Sequence, residues 1–129
     1  MTGQNDGAGD RSTILVVEDE EAIRELVRTV LAPIGARVLL AGSAEEALAA
    51  AAGEAQIDLL LTDVVLPGEH GTQLATTLRD AHPALTVIYM TGWREHVALD
   101  GIPDAMVLSK PFELKELARL VASALAPEA

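Results

Sequence analysis

From Ser12 onward the chain alternates two hydrophobic patterns. Short apolar runs recur five times: Ile14-Leu-Val-Val17, Val38-Leu-Leu-Ala41, Ile57 to Leu61, Val87-Ile-Tyr-Met90 and Met106-Val-Leu108. Each has strand length and is apolar on both parities, as a strand covered on both faces requires. Between them lie segments with helical spacing. Ala22, Ile23, Leu26, Val27, Val30 and Leu31 form one stripe, closed by Pro33 and Gly35. Ser43 and Glu46 have capping-box spacing before an alanine-rich helix that Gly53 stops. Leu74, Ala75 and Leu78 mark a third helix, ended near His82 and Pro83. Leu114, Leu117, Ala118, Val121 and Leu125 mark the last. The segment before the fifth run, Arg94 to Leu99, shows little periodicity and lies between Gly92 and Gly101.

Five strand–helix units with short loops predict an α/β fold: a doubly wound five-stranded parallel sheet with helices on both faces. Periodicity alone leaves the strand order open. Residues 1–11 carry almost nothing apolar and read as a disordered tail, which leaves one domain over 12–126.

Composition narrows the function. The 129 residues carry a formal net charge of −11, which repels a phosphate backbone or an anionic membrane surface. Direct nucleic-acid or membrane binding is not expected. Cysteine is absent, which removes thiolate chemistry and disulfides. No apolar run reaches membrane-spanning length and no signal peptide is evident, so a cytoplasmic protein is expected.

The polar residues of interest sit at the carboxyl ends of the apolar runs, where sheets of this class bind ligands. Glu18 and Asp19 follow the first run, Asp63 the third, Thr91 the fourth and Lys110 the fifth. Each has a plain reading by itself: Asp19 as a helix cap, Glu18 as a solvated acid, Asp63 as a turn residue, Thr91 as an N-cap, Lys110 as a surface lysine. Their joint placement points to chemistry. Three carboxylates at one edge stay ionised together only with a cation among them. Few ligands, all oxygen, suit Mg²⁺. A carboxylate can also be a nucleophile, and a lysine with a hydroxyl can hold the oxygens of a phosphoryl group.

The segments Ile14-Leu-Val-Val-Glu-Asp-Glu20, Leu59-Leu-Leu-Thr-Asp-Val-Val-Leu-Pro-Gly68, Tyr89-Met-Thr-Gly-Trp93 and Ser109-Lys-Pro-Phe112 resemble the receiver domain of two-component response regulators. The resemblance implies a flavodoxin-like sheet of order 2-1-3-4-5. It implies that Asp63 accepts a phosphoryl group, with Thr91 and Lys110 on the phosphoryl oxygens. It implies Mg²⁺ held by Asp19, Asp63 and the carbonyl of Val65, with Glu18 acting through water. The implied partners are a histidine kinase or histidine phosphotransfer protein and a downstream protein target. The resemblance also implies a cis Lys110–Pro111 bond.

Two features depart from the family pattern. An aromatic residue commonly precedes the lysine by three positions, and here Val107 stands there. Only 18 residues separate Thr91 from Lys110, which is tight for a full helix and a strand. A monomer is therefore expected, with mobility from Trp93 to Pro103. Tyr89 is expected in the core. His70, His82 and His96 lack metal-ligand spacing and read as surface residues.

The favoured reading is a phosphoacceptor switch that is not an enzyme in the multiple-turnover sense. It is either a stand-alone receiver, which the initial Met1 favours, or one detached from a hybrid kinase or acting as a phosphorelay sink. A receiver-like binding module without phosphorylation is a further reading. A haloacid-dehalogenase-type phosphatase would need a second aspartate where Val65 stands.

Overall fold

The computed structural model describes residues 12–92 and 106–125. Five strands, β1 (Thr13–Val17), β2 (Arg37–Ala41), β3 (Leu59–Asp63), β4 (Thr86–Thr91) and β5 (Met106–Ser109), form one sheet. Their order is β2-β1-β3-β4-β5, every pair parallel, as the resemblance implies. The helices are α1 (Glu21–Leu31), α2 (Ala44–Ala52), α3 (Gly71–Ala81) and α4 (Leu114–Leu125).

Strand alternation sorts the core into two layers. Ile14, Val16, Leu59, Leu61, Ile88, Met90 and Leu108 face Val27 and Leu31 of α1 and Leu117 and Val121 of α4. Leu15, Val17, Leu60, Val87 and Tyr89 face Ala44, Ala47 and Ala51 of α2 and Leu74, Ala75 and Leu78 of α3. Burial on both faces explains the unbroken apolar runs of β1 and β3. Each fully buried leucine contributes about 1.5–3 kcal/mol relative to an exposed one. Tyr89 joins this core as expected, beside Val107 across the β4–β5 pair.

Local chemistry sets the helix ends. Pro33 enters a 3₁₀ turn, Ala32–Ile34, and Gly35 closes it at φ 85°, where a Cβ would be strained. The Ser43 hydroxyl accepts from the Glu46 amide at 3.1 Å. The Glu46 carboxylate reaches back one residue further than a capping box predicts, to the Gly42 amide at 2.7 Å.

Two expectations need correction. The third strand begins at Leu59 rather than Ile57. Ile57 is buried, but its amide donates to His82 Nδ1 at 3.3 Å instead of joining the strand ladder. Asp58 takes the Thr13 amide on its side chain at 2.8 Å. An apolar run reports burial, and Ile57 is buried one residue before Asp58, whose amide donates to the Thr13 carbonyl and whose carbonyl accepts from the Thr86 amide. His82, in consequence, is a buried tie between the turn after α3 and the loop before β3, not a surface histidine. His70 is exposed and caps α3, its side chain accepting from the N3 amide. The expectations for Arg94 to Leu99, His96, the Trp93–Pro103 segment and the N-terminal tail fall outside the described residues.

Candidate functional site at the carboxyl edge of the sheet

The strand order decides which acids meet. β1 lies between β2 and β3, and its register with β3 pairs Val17 with Thr62. Glu18 and Asp63, the next residues on each strand path, therefore emerge side by side. The Glu18 amide still donates to the Ala41 carbonyl at 3.0 Å, so the β1–β2 ladder runs one residue past the strand. Asp63 is the last residue of β3 and Thr91 the last of β4, rather than the first loop residues.

Glu18, Asp19 and Asp63 each place a carboxylate oxygen within 4.8 Å of the others. Glu18 is fully buried, Asp63 nearly so, and Asp19 is exposed toward solvent. Lys110 reaches the cluster from the end of β5. Its Nζ lies 2.6 Å from Asp63 Oδ1 and 2.8 Å from Glu18 Oε1. Its backbone amide donates to the Thr91 carbonyl at 2.8 Å, and the Lys110–Pro111 bond is cis, as expected.

One ammonium shared by two acids leaves a charge imbalance. Burial raises the Glu18 pKa, but Lys110 and the Glu20 amide hold it net below the ordinary carboxylate value. Burial pushes the Asp63 carboxyl up to about 7, with adjacent Glu18 adding to the rise and Lys110 opposing it. Burial disfavours the Lys110 charge, yet Asp63 and Glu18 together raise its pKa. Glu18 is the better satisfied acid, so Asp63 carries the excess. Three carboxylates against one lysine leave two negative charges when all are ionised. A divalent cation with a preference for hard oxygen would neutralise them.

Val65 lies in a short antiparallel ribbon, Val65–Leu66 against Glu69–His70. Pro67 and Gly68, the latter at φ 79°, are the central residues of its turn, as a type II turn prefers. The Gly71 amide donates to the Val64 carbonyl at 2.6 Å. This makes Val65–His70 a non-hydrogen-bonded pair, which leaves the Val65 carbonyl outside the ribbon ladder. The carbonyl is thus available as a ligand, while the side chain is 50% exposed and apolar. The donor set fits Mg²⁺.

Thr91 differs from the others. It is buried at the edge, but its hydroxyl donates to the Gly92 carbonyl at 2.8 Å rather than to the acids. The structure thus joins Glu18, Asp19, Asp63 and Lys110 directly and leaves Thr91 turned to its own backbone.

Two contributors escaped the sequence pattern. Gly71, the first residue of α3, presses against the Asp63 backbone. Arg24, on α1, donates to the Glu18 carbonyl at 2.7 Å. A glycine opening a helix was the available signal for the first. Arg24 sits on a polar helix face and gave none.

The fold and this edge define a class: doubly wound parallel α/β proteins with a lysine-bridged acid cluster at the carboxyl ends of the strands. The chain belongs to the response regulator receiver domain family, whose pattern matches residues 14–122. It is 35% identical over 119 residues to the DNA-binding transcriptional regulator NtrC of Azospirillum brasilense, covering 88% of this chain and 24% of that one. It is 38% identical over 116 residues to the sensor kinase CckA of Brucella abortus, covering 85% of this chain and 12% of that one. The chain thus spans about a quarter or less of these curated relatives. A response regulator receiver protein from Sinorhizobium medicae superposes with a TM-score of 0.79 at 28% identity, over 92% of this chain and 97% of that one. The receiver domain of the hybrid histidine kinase CckA gives 0.75 at 34% identity, over 89% and 100%. Among the described residues no helix is long and apolar enough to cross a membrane.

The acid cluster yields a direct test. Millimolar Mg²⁺ should stabilise the chain by about 1–3 kcal/mol, the mass-action gain for a ligand at roughly 10 to 100 times its Kd. Asp19→Ala should lose most of that gain. A thermal melt indifferent to Mg²⁺ would remove the site.

Proposed function

We propose that the chain is a phosphoacceptor switch, in which Asp63 takes a phosphoryl group from the phosphohistidine of a histidine kinase or histidine phosphotransfer protein. The observation that carries this reading is Lys110 Nζ at 2.6 Å from Asp63 Oδ1, inside a cluster of three acids. An Asp63 carboxylate oxygen attacks phosphorus, the phosphorus–nitrogen bond breaks, and the leaving imidazole keeps the electron pair and picks up a proton. The acid then carries an acyl phosphate. Lys110 releases the Asp63 oxygen and follows the charge onto the phosphoryl oxygens. Thr91 has a hydroxyl on the same edge that can rotate from the Gly92 carbonyl to the new acceptor. Asp19, Asp63 and the Val65 carbonyl, with Glu18 acting through water, would hold Mg²⁺, which when bound would supply positive charge against the transferring group. The readout is altered binding of a downstream protein in the cytoplasm.

Turnover is slow in this reading. The residue two positions after Asp63 is Val65, exposed and unable to act as acid or base. The chain is therefore an acceptor rather than a phosphatase. Likeness to CckA favours a second reading, a receiver that serves a hybrid kinase or a phosphorelay. The DNA-binding named for NtrC is not carried over, because a net charge of −11 opposes a phosphate backbone. A monomer is the expected state in solution.

Incubation with a small acyl phosphate and Mg²⁺, followed by intact-mass measurement, tests the proposal. Wild type should gain one phosphoryl group and Asp63→Asn none. No gain by wild type at saturating donor would refute it.

A further inference from the structure

We propose that Arg24 is a positioning residue for the metal site, acting on Glu18 and Asp19 at once through the peptide bond that joins them. The inference rests on the Mg²⁺ site of the proposed function. Arg24 occupies the fourth position of α1, where a cation opposes the helix dipole. Its placement there calls for a compensating contact, and the contact is specific. Arg24 Nη1 donates to the Glu18 carbonyl at 2.7 Å. That carbonyl belongs to the Glu18–Asp19 peptide. A peptide unit is planar and rigid, so holding its oxygen fixes the plane from which both carboxylates hang.

The rest of the turn is tied in the same sense. The Glu18 amide is held by the Ala41 carbonyl at 3.0 Å, and the Glu20 amide donates to Glu18 Oε2 at 3.0 Å. The Arg24 amide itself donates to the Glu20 carbonyl at 3.0 Å. Asp19 has no comparable side-chain bond among those found in the described residues. Its direction depends on the peptide that Arg24 clamps.

The end of β2 leaves room for the guanidinium. A Cβ built on Gly42 would lie 2.9 Å from Arg24 Nη1 and 3.3 Å from Glu46 Oε1. Gly42 is thus the floor on which the guanidinium rests, and its amide donates to Glu46 Oε1 at 2.7 Å. An alanine there displaces the guanidinium without removing its charge. This separates position from electrostatics, because two variants then disturb the same contact by different means.

The experiment is a Mg²⁺ titration of the full chain, followed by thermal shift, with the metal-free melt recorded in parallel. Arg24→Ala should weaken Mg²⁺ binding about tenfold, the scale for losing a partner that orients a ligand. Gly42→Ala should weaken it in the same direction, and should add nothing in the Arg24→Ala background, since coupled sites are non-additive. Mg²⁺ affinity within twofold of wild type in Arg24→Ala, even with a lower metal-free melting temperature, would reduce Arg24 to a structural tie and overturn the proposal. Additive losses in the double variant would overturn it too. Should Arg24→Ala fail to fold, Gly42→Ala alone decides, and unchanged affinity there counts against the role. A wild type that does not bind Mg²⁺ counts against the site itself, not against Arg24.

Discussion

Gly71→Ala should cost about 3 kcal/mol of stability and slow phosphoryl uptake, although helix propensity by itself favours alanine by roughly 1 kcal/mol. An added Cβ would lie 2.1 Å from the Asp63 carbonyl oxygen and 3.1 Å from Thr62 Oγ1. The first neighbour is backbone, which cannot swing aside as a side chain can. Either α3 lifts from the sheet or the end of β3 moves. Lifting α3 strains the Gly71 amide bond to the Val64 carbonyl and loosens Leu74, Ala75 and Leu78. Moving β3 displaces Asp63 from Lys110. Denaturant melts should show a lower midpoint with an unchanged m-value. Gly53→Ala is the control, because nothing lies within 4 Å of the Cβ it would add. If Gly71→Ala matched that control in stability, the close approach would be wrong.

Asp63 should make the metal-free protein less stable as pH rises. Its folded pKa is raised to about 7, by burial first and by Glu18 second. Its unfolded value is about 3.9. Between these values the folded state binds more protons than the unfolded state, so stability falls with increasing pH across the window. The loss is complete above the folded pKa and absent below the unfolded one. Metal-free wild type should therefore melt higher near about pH 5.5 than near about pH 8, and Asp63→Asn should flatten the difference. At the upper pH Asp63→Asn should melt above wild type by roughly 5 °C, because it removes an under-compensated buried charge. Mg²⁺ reverses the trend: it competes with the proton for Asp63, so its stabilisation should grow as pH rises. Melts at both pH values, with and without Mg²⁺, check the sign. Equal pH dependence in wild type and Asp63→Asn would assign the titration elsewhere.

The order of elements was legible in the chain because it depends on local periodicity. Apolar runs marked the strands to within two residues, and the turn at Pro67-Gly68 and the cap at Ser43 rest on neighbouring residues. Glu18, Asp19, Asp63 and Lys110 stood out because each lies at the end of an apolar run. Their meeting did not follow from spacing. It follows from β1 lying between β2 and β3, a relation among segments distant in the chain, which only the resemblance supplied beforehand.

Tertiary structure decided the rest. Ile57 read as strand and is a buried loop residue, because the His82 imidazole took its amide. His82 read as surface and is core for the same reason. Thr91 was expected on the phosphoryl oxygens, and the packed edge sets where its hydroxyl lies before any phosphoryl arrives, on the Gly92 carbonyl. Arg24 and Gly71 gave little or no sign of their roles, since the partner of each is backbone: the carbonyls of Glu18 and Asp63. A carbonyl is present at every position, so side-chain pattern carries no mark of which one is used. Patterns record what a residue buries along its own element. Only the packed sheet sets which backbone group on a neighbouring element comes within reach.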